Sequence, residues 1–496
     1  MPRIMSSRTG SSRVWLLALM LLLAGASQPA ARAASDPDTP STSDAPAAVG
    51  PLHTDGARLL DAAGHEARLT GVNWFGLETD TFAPHGLWAR RYTDMLDQIV
   101  AAGFNTIRLP YSNQLLEPGS KPKGIDEQKN PELSGLSGLE LLDRVVDAAG
   151  QRGLRVILDR HRPTAAAQSE LWYTPEVSEA RWVEDWVALA RRYAGNPTVI
   201  GADLHNEPHG PATWGDGNPQ TDWRLAAERA GNAILAANPD WLILVEGVER
   251  IGTADWYWWG GNLAGARQAP VRLAVPDKLV YSPHDYGPGV YQQGWFSAAD
   301  FPANLPGIWR DHWGYLQQDG IAPVIVGEFG GRSVGGDKEG VWQRSLLSFL
   351  QANGLSYTYW AWNPDSADTG GILEDDWTTL DRNKLGILAA YQWQGGQGSA
   401  EAMEPPPVAA LPPPPASLQP PVDVVPPPAS SEPAAPGGPF DPDLRHALDG
   451  IGGPTDPDPV HRQARARDEQ RYLALFGKPW PYAAYVTAAP SAPTVP

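Results

Sequence analysis

Eight short apolar runs separated by amphipathic stretches predict an α/β fold, a (β/α)₈ barrel over residues 51–394. Three observations carry that expectation. The runs are rich in β-branched residues and almost continuous in apolar character, as parallel strands covered on both faces must be. The stretches between them have helical spacing and stop at Gly or Asn-Pro signals. The segment is also of a length that one such barrel accommodates, about 250 residues or more.

Taken in order, "RLLDAAGHEARL" (Arg58–Leu69) reads as a hairpin closing the barrel floor. The strand runs follow as "RLTGVNWFG", "TIRLPY", "RVILDRH", "VIGADLHNEP", "LILVEG", "LVYSPHDY", "VIVGEFG" and "SYTYWAW". Helices are read in "YTDMLDQIVAAG", "GLELLDRVVDAAGQRG", "WVEDWVALARRYAGNP" and "WRLAAERAGNAILAANP". Ahead of the barrel, Arg3, Arg8 and Arg13 precede the apolar "VWLLALMLLLAGA", which is too short to span a bilayer comfortably. Residues 1–33 therefore read as a secretion signal, with cleavage at "AGA" or "ARA", and 34–50 as a polar leader. Residues 395–439 are Pro-rich, cannot bury a core, and read as an extended linker. The segment 440–496 occupies the place of a carbohydrate-binding module but is short and poor in aromatics. A docking or retention role and a plain tail both remain open for it.

Composition excludes several function classes. The 38 basic and 57 acidic residues give a net charge of −19, which repels nucleic acid and anionic membranes. Cysteine is absent, so disulfides, thiolate catalysis and Cys-ligated metals are excluded. The Asp-bearing "NPDSADTGG" lacks calcium-loop spacing and reads as a turn. No metal or cofactor is expected. There are 21 tryptophans, which serve equally as sugar platforms and as core. Trp88, Trp172, Trp214, Trp256, Trp258, Trp259 and Trp295 fall in loop-like segments, and half are expected to line a groove.

In a barrel of this kind, polar residues at strand C-terminal ends form the site. Here the ends carry Arg108; Asp159 and His161; His205, Asn206 and Glu207; His284, Asp285 and Tyr286; Glu328; and Trp360 and Trp362. Glu207 and Glu328 close strands four and seven, which face each other across an eight-strand barrel. Two carboxyls meeting across a cleft are what glycoside hydrolysis requires. The competing reading makes them buried ion-pair partners of Arg108 or a His.

"DLHNEPH" and "VGEFG", together with "IRLPY", "DRHRP", "SPHDY" and "WNPDSADTGGIL", resemble family 5 glycoside hydrolases, bacterial endo-1,4-β-glucanases in particular. The resemblance runs from about Leu52 to Trp393. It implies a retaining enzyme with Glu207 as acid/base and Glu328 as nucleophile. Asn206 would bind the sugar 2-hydroxyl, Arg108, His161, His284 and Tyr286 would form a supporting polar shell, and Trp360 would be a sugar platform. Trp88, Trp259 and Glu249 would line the cleft. The implied substrate is a β-1,4-glucan, with mannan, xyloglucan, mixed-linkage glucan and a non-catalytic glycan-binding barrel as alternatives. A secreted monomer is expected. Two local consequences follow. Neighbouring Asn206 and Glu207 alternate faces in a regular strand, so a bulge or strand-end twist must turn both to the substrate. A retaining pair should stand about 5–5.5 Å apart.

Overall fold

The computed structural model describes residues 50–393. The expected signal, linker and C-terminal segment, and the leader apart from Gly50, lie outside the described residues.

All eight predicted runs are strands: β1 (Thr70–Asn73), β2 (Thr106–Ser112), β3 (Arg155–Arg162), β4 (Val199–Asp203), β5 (Leu242–Val245), β6 (Leu279–Tyr281), β7 (Ile325–Val326) and β8 (Ser356–Tyr359). They pair in parallel in the order β6-β5-β4-β3-β2-β1-β8-β7. Parallel bridges Tyr281–Val324 and His284–Glu328 close the ring between β6 and β7. The seam that closes the barrel thus includes two residues of the predicted site, and Asp285 N donates to the Glu328 carbonyl at 3.1 Å.

The floor differs in detail from the expected hairpin. Its two strands are Leu52–Asp55 and Arg58–Asp61, antiparallel, turning at Gly56-Ala57, where Gly56 has φ +57°. A residue without Cβ takes that left-handed turn freely, which adds a regular hairpin ahead of the expected one. The expected stretch then folds back on the second strand, with Asp61 N donating to the His65 carbonyl at 2.9 Å, Ala67 N to the Leu59 carbonyl at 2.8 Å and an antiparallel bridge from Leu60 to Glu66. Leu52 and Leu59 of the hairpin join Ile157, Ile200, Leu244 and Ile325 in a buried cluster that plugs the lower barrel.

Outside the strands lie helices α1 (Tyr92–Ala101), α2 (Gly138–Gly150), α3 (Glu179–Arg192) and α4 (Trp223–Ala237), the four predicted ones. Ser137 opens α2 with a reciprocal cap to Glu140, Ser178 caps α3 and Asp222 caps α4. After β5 come a small antiparallel pair, Arg250–Ile251 with Asp255–Trp256, and, in place of a full helix, a 3₁₀ turn, Ala264–Arg267. After β6 come α5 (Leu305–Trp309), a π turn over Arg310–Gly314 and α6 (Tyr315–Gln318). Then α7 (Lys338–Ala352) and α8 (Arg382–Ala389) complete the ring.

Buried tryptophans of this outer layer hold the site from behind. Trp182 and Trp186 of α3 both donate indole N–H to the Leu204 carbonyl, at 3.0 and 3.1 Å. Trp223 of α4 donates to the Glu246 carbonyl at 2.9 Å. The ends of β4 and β5 are therefore anchored by groups that are themselves locked in the core.

Candidate active site

At the mouth of the barrel the centre is Arg108 on β2, fully buried. Its Nε donates to Asp203 Oδ2 at 2.9 Å, and Nη1 to Asn73 Oδ1 at 3.0 Å and Glu328 Oε1 at 2.6 Å. Nη2 donates to Asn206 Oδ1 at 3.1 Å and Glu246 Oε1 at 3.3 Å, and Asp159 Oδ2 lies 3.1 Å from Nη1. Burial alone would discharge it, but Asp159, Asp203, Glu328 and Glu246 together hold its pKa well above the usual value. Arg108 is a permanent cation here.

Glu328 follows β7 and is almost fully buried. One oxygen takes the Arg108 bond, and the other accepts from the Tyr286 hydroxyl at 2.6 Å. Glu207 follows β4 and is more open, with a side chain 16% exposed. Its Oε1 lies 3.1 Å from His284 Nδ1, and its Oε2 accepts from Gln168 Nε2 at 2.9 Å. One carboxylate oxygen of Glu207, one of Glu328 and an imidazole nitrogen of His284 all lie within 4.8 Å of one another, so the two carboxyls meet beside His284.

Burial pushes both carboxyls above their ordinary values. The opposing influences differ. At Glu207 the first of them is the neutral Gln168 amide; at Glu328 they are His284, Arg108 and His161. Burial brings His161 and His284 themselves down to about 4, so both rings are neutral near pH 7. That leaves Arg108 as the fixed positive charge at Glu328. Glu207 has no such contact, and the pair is electrostatically unequal.

The ladder of β4 ends at Asp203, so Asn206 and Glu207 are past the strand. Glu207 takes φ +51°, and that left-handed residue supplies the turn which brings both side chains to the same face. Glu207 N donates to Glu246 Oε2 at 2.8 Å, and His209 Nδ1–H donates to the Glu207 carbonyl at 2.6 Å. Asn206 Oδ1 is taken by Arg108, while its buried Nδ2 has no partner among the described residues.

Trp360 lies past β8, its ring nearly parallel to those of His161 (5.4 Å, 8°) and Phe75 (5.3 Å, 11°). Its indole N–H donates to Ser366 Oγ at 3.1 Å, which ties it to the "NPDSADTGG" loop. Phe75 continues the row to His85 and on to Trp88 at 5.3 and 5.5 Å, and Trp88 in turn meets buried Trp377 edge-on at 4.8 Å, so two rings separate Trp88 from Trp360. Trp259, 36% exposed, lies flat on His209 at 3.7 Å and donates to Glu249 Oε1 at 3.0 Å. Of the other loop tryptophans, Trp172, Trp214 and Trp258 are buried and Trp256 is exposed.

Asn73 and Asp203, which hold Arg108, and Glu246 and Gln168 were not singled out by the sequence reading. Glu246, at the end of β5, joins Arg108 to the Glu207 backbone, and an acid closing the run "LILVEG" was a usable signal. Gln168 touches Glu207 from the loop after β3, and the flanking "TAAA" gives no hint of it.

Paired carboxyls across a barrel mouth, with a permanent cation against one alone, are the equipment of a glycoside hydrolase. Residues 60–366 match the family described as Cellulase (glycosyl hydrolase family 5). An endoglucanase of Paenibacillus polymyxa is 57% identical over 353 residues, covering 71% of this chain and 89% of that protein. The major extracellular endoglucanase of Xanthomonas campestris is 44% identical over 336 residues, covering 67% and 69%. Among solved structures, an endocellulase from Pyrococcus horikoshii in complex with cellotetraose is 43% identical with a TM-score of 0.65, over 69% of this chain and 99% of that one. The chain belongs to glycosyl hydrolase family 5.

Proposed function

We propose that this chain cleaves internal β-1,4-glucosidic bonds by double displacement, with Glu328 as nucleophile and Glu207 as acid/base. The activity served is that of an endo-1,4-β-glucanase, in keeping with the family and with the endoglucanases it resembles at 57% and 44% identity. In the first step Glu328 attacks the anomeric carbon while Glu207 gives its proton to the departing glycosidic oxygen. In the second, Glu207 takes a proton from water, which displaces Glu328 from the sugar.

The observation that carries this reading is the approach of an oxygen of each carboxyl to within 4.8 Å, with Arg108 bonded to Glu328 and not to Glu207. So short a gap suits direct attack, since the inverting arrangement leaves about 6.5–9.5 Å for a water. Arg108 and the Tyr286 hydroxyl favour the bare carboxylate of Glu328. Neutral His284 lies beside both acids and steadies Glu207. The unpartnered Asn206 Nδ2 is a donor for the sugar hydroxyl beside the reacting carbon. His161 and Phe75 fix Trp360 as one sugar platform, with Trp259 and Trp88 as further ones. We read the chain as exported, since a relative is named extracellular and no described helix is long and apolar enough to cross a membrane.

Proton NMR of the first sugars released from a soluble β-1,4-glucan oligomer tests the mechanism. The β anomer is expected first, with the α form growing in by mutarotation. An initial α product would mean inversion and would overturn the nucleophile assignment.

A further inference from the structure

The second oxygen of Glu207 is held by a residue outside the strand ends. We propose that Gln168 is a positioning residue for the acid/base, holding Glu207 Oε2 so that the carboxyl presents Oε1 on the Glu328 side and is ready to act as base in the water step. This rests on the assignment of Glu207 above.

Three features support it. First, the contact is specific: Gln168 Nε2 donates to Oε2 at 2.9 Å, while Oε1 faces His284 Nδ1, which is itself 3.6 Å from Glu328 Oε2. Second, the loop carrying Gln168 is tied down on both sides. Thr164 and Ala167 form an antiparallel bridge, and Ala165 N donates to Gln114 Oε1 at 2.9 Å. Beyond Gln168, the Ser169 hydroxyl donates to the Leu171 carbonyl at 2.7 Å, and buried Arg160 donates to the Trp172 carbonyl at 3.3 Å. The Glu170 carbonyl accepts His209 N at 3.2 Å, which couples this loop to the one that carries Glu207. Third, the donor is neutral. It favours the carboxylate without fixing it in that state, as a cation would, so Glu207 can still accept and release a proton within one cycle.

The charged and titratable groups around Glu207 are His284 and Tyr286 after β6, Glu328 after β7, Glu246 after β5, and His209 on its own loop, with Arg108, Asp159 and Asp368 acting at longer range. Gln168 adds no charge to this set, so its effect can be read separately. An amide N–H bonded to a carboxylate lowers the pKa of that acid, so removing it lets Glu207 keep its proton to higher pH.

The test uses the full chain with Gln168→Met, which keeps length without the donor, and Gln168→Glu, which brings a like charge. For Gln168→Met the basic limb of kcat/KM on a soluble glucan is expected to move up by roughly half a unit or more, and for Gln168→Glu further still. On 2,4-dinitrophenyl cellobioside, whose leaving group needs no proton, the first step depends on Glu328 and the second on Glu207. There Gln168→Met should lower kcat several-fold and leave kcat/KM within about twofold. Superimposable pH profiles, or equal losses in kcat and kcat/KM, would overturn the proposal. Glu207→Ala in the same assay separates the two assignments. If azide fails to restore its turnover, Glu207 is not the acid/base and the role of Gln168 falls with it. Rescue there, with an unmoved Gln168→Met profile, removes Gln168 alone.

Discussion

Glu207 shows how much of this site depends on a single backbone angle. A non-glycine residue at φ +51° costs on the order of 1–2 kcal/mol, and the surroundings must over-determine it. Glu246 holds its N–H and His209 its carbonyl, and Gly260 leaves room behind it. A Cβ on Gly260, itself at φ +66°, would lie 2.1 Å from Glu246 Oε2 and 3.1 Å from Glu207 Cα. Gly260→Ala should therefore displace both acids and lower kcat about tenfold or more, in a protein that still unfolds cooperatively. Steady-state kinetics beside a thermal melt checks this, and an unchanged kcat would mean that the site yields without moving the acids. Such a dependence is invisible in the sequence. "HNEP" names the acid, but nothing in it states which way the chain turns.

At the scale of elements, the strands were legible because their apolar character is nearly continuous, and their C-terminal ends named most of the polar cluster. The helices were less so. α1 to α4 carry a clear apolar stripe, whereas the segment after β5 has a 3₁₀ turn in place of a full helix and that after β6 is broken by a π turn at Arg310–Gly314. Neither has an uninterrupted 3.6-residue period to read. Loop contacts escaped for a different reason. Gln168 reaches Glu207 only because the β3 and β4 loops are laced together through Glu170 and His209, a tertiary path that leaves no local pattern. The tryptophan count was ambiguous on its own, and the structure divides the residues between buried and open positions. Trp172, Trp182 and Trp223 form one buried ring cluster, while Trp259 lies on the open face.

For the whole molecule, burying so many ionisable groups sets the pH at which the fold is most secure. Burial raises Asp159, Asp285 and Glu339 to about 7, from ordinary values of 3.8, 3.8 and 4.5. Between those limits the folded state keeps protons that the unfolded chain has released, so stability falls as pH rises through about 4 to 7. His161 and His284, lowered to about 4 from 6.5, act in the opposite sense, but only up to about 6.5. Above that only the acids remain, and the melting temperature should be lower at pH 8 than at pH 5.5. Asp285→Asn should flatten the profile, and a melting temperature that climbs from pH 5.5 to 8 would contradict this balance. The same burial underlies the chemistry, because it makes the two facing acids sensitive to what touches each. The most direct test is to trap the intermediate with a 2-deoxy-2-fluoro cellobioside and locate the sugar by peptide mass spectrometry. It should be found on the peptide containing Glu328, on that residue; a label on Glu207, or turnover with no covalent adduct at all, would contradict the account.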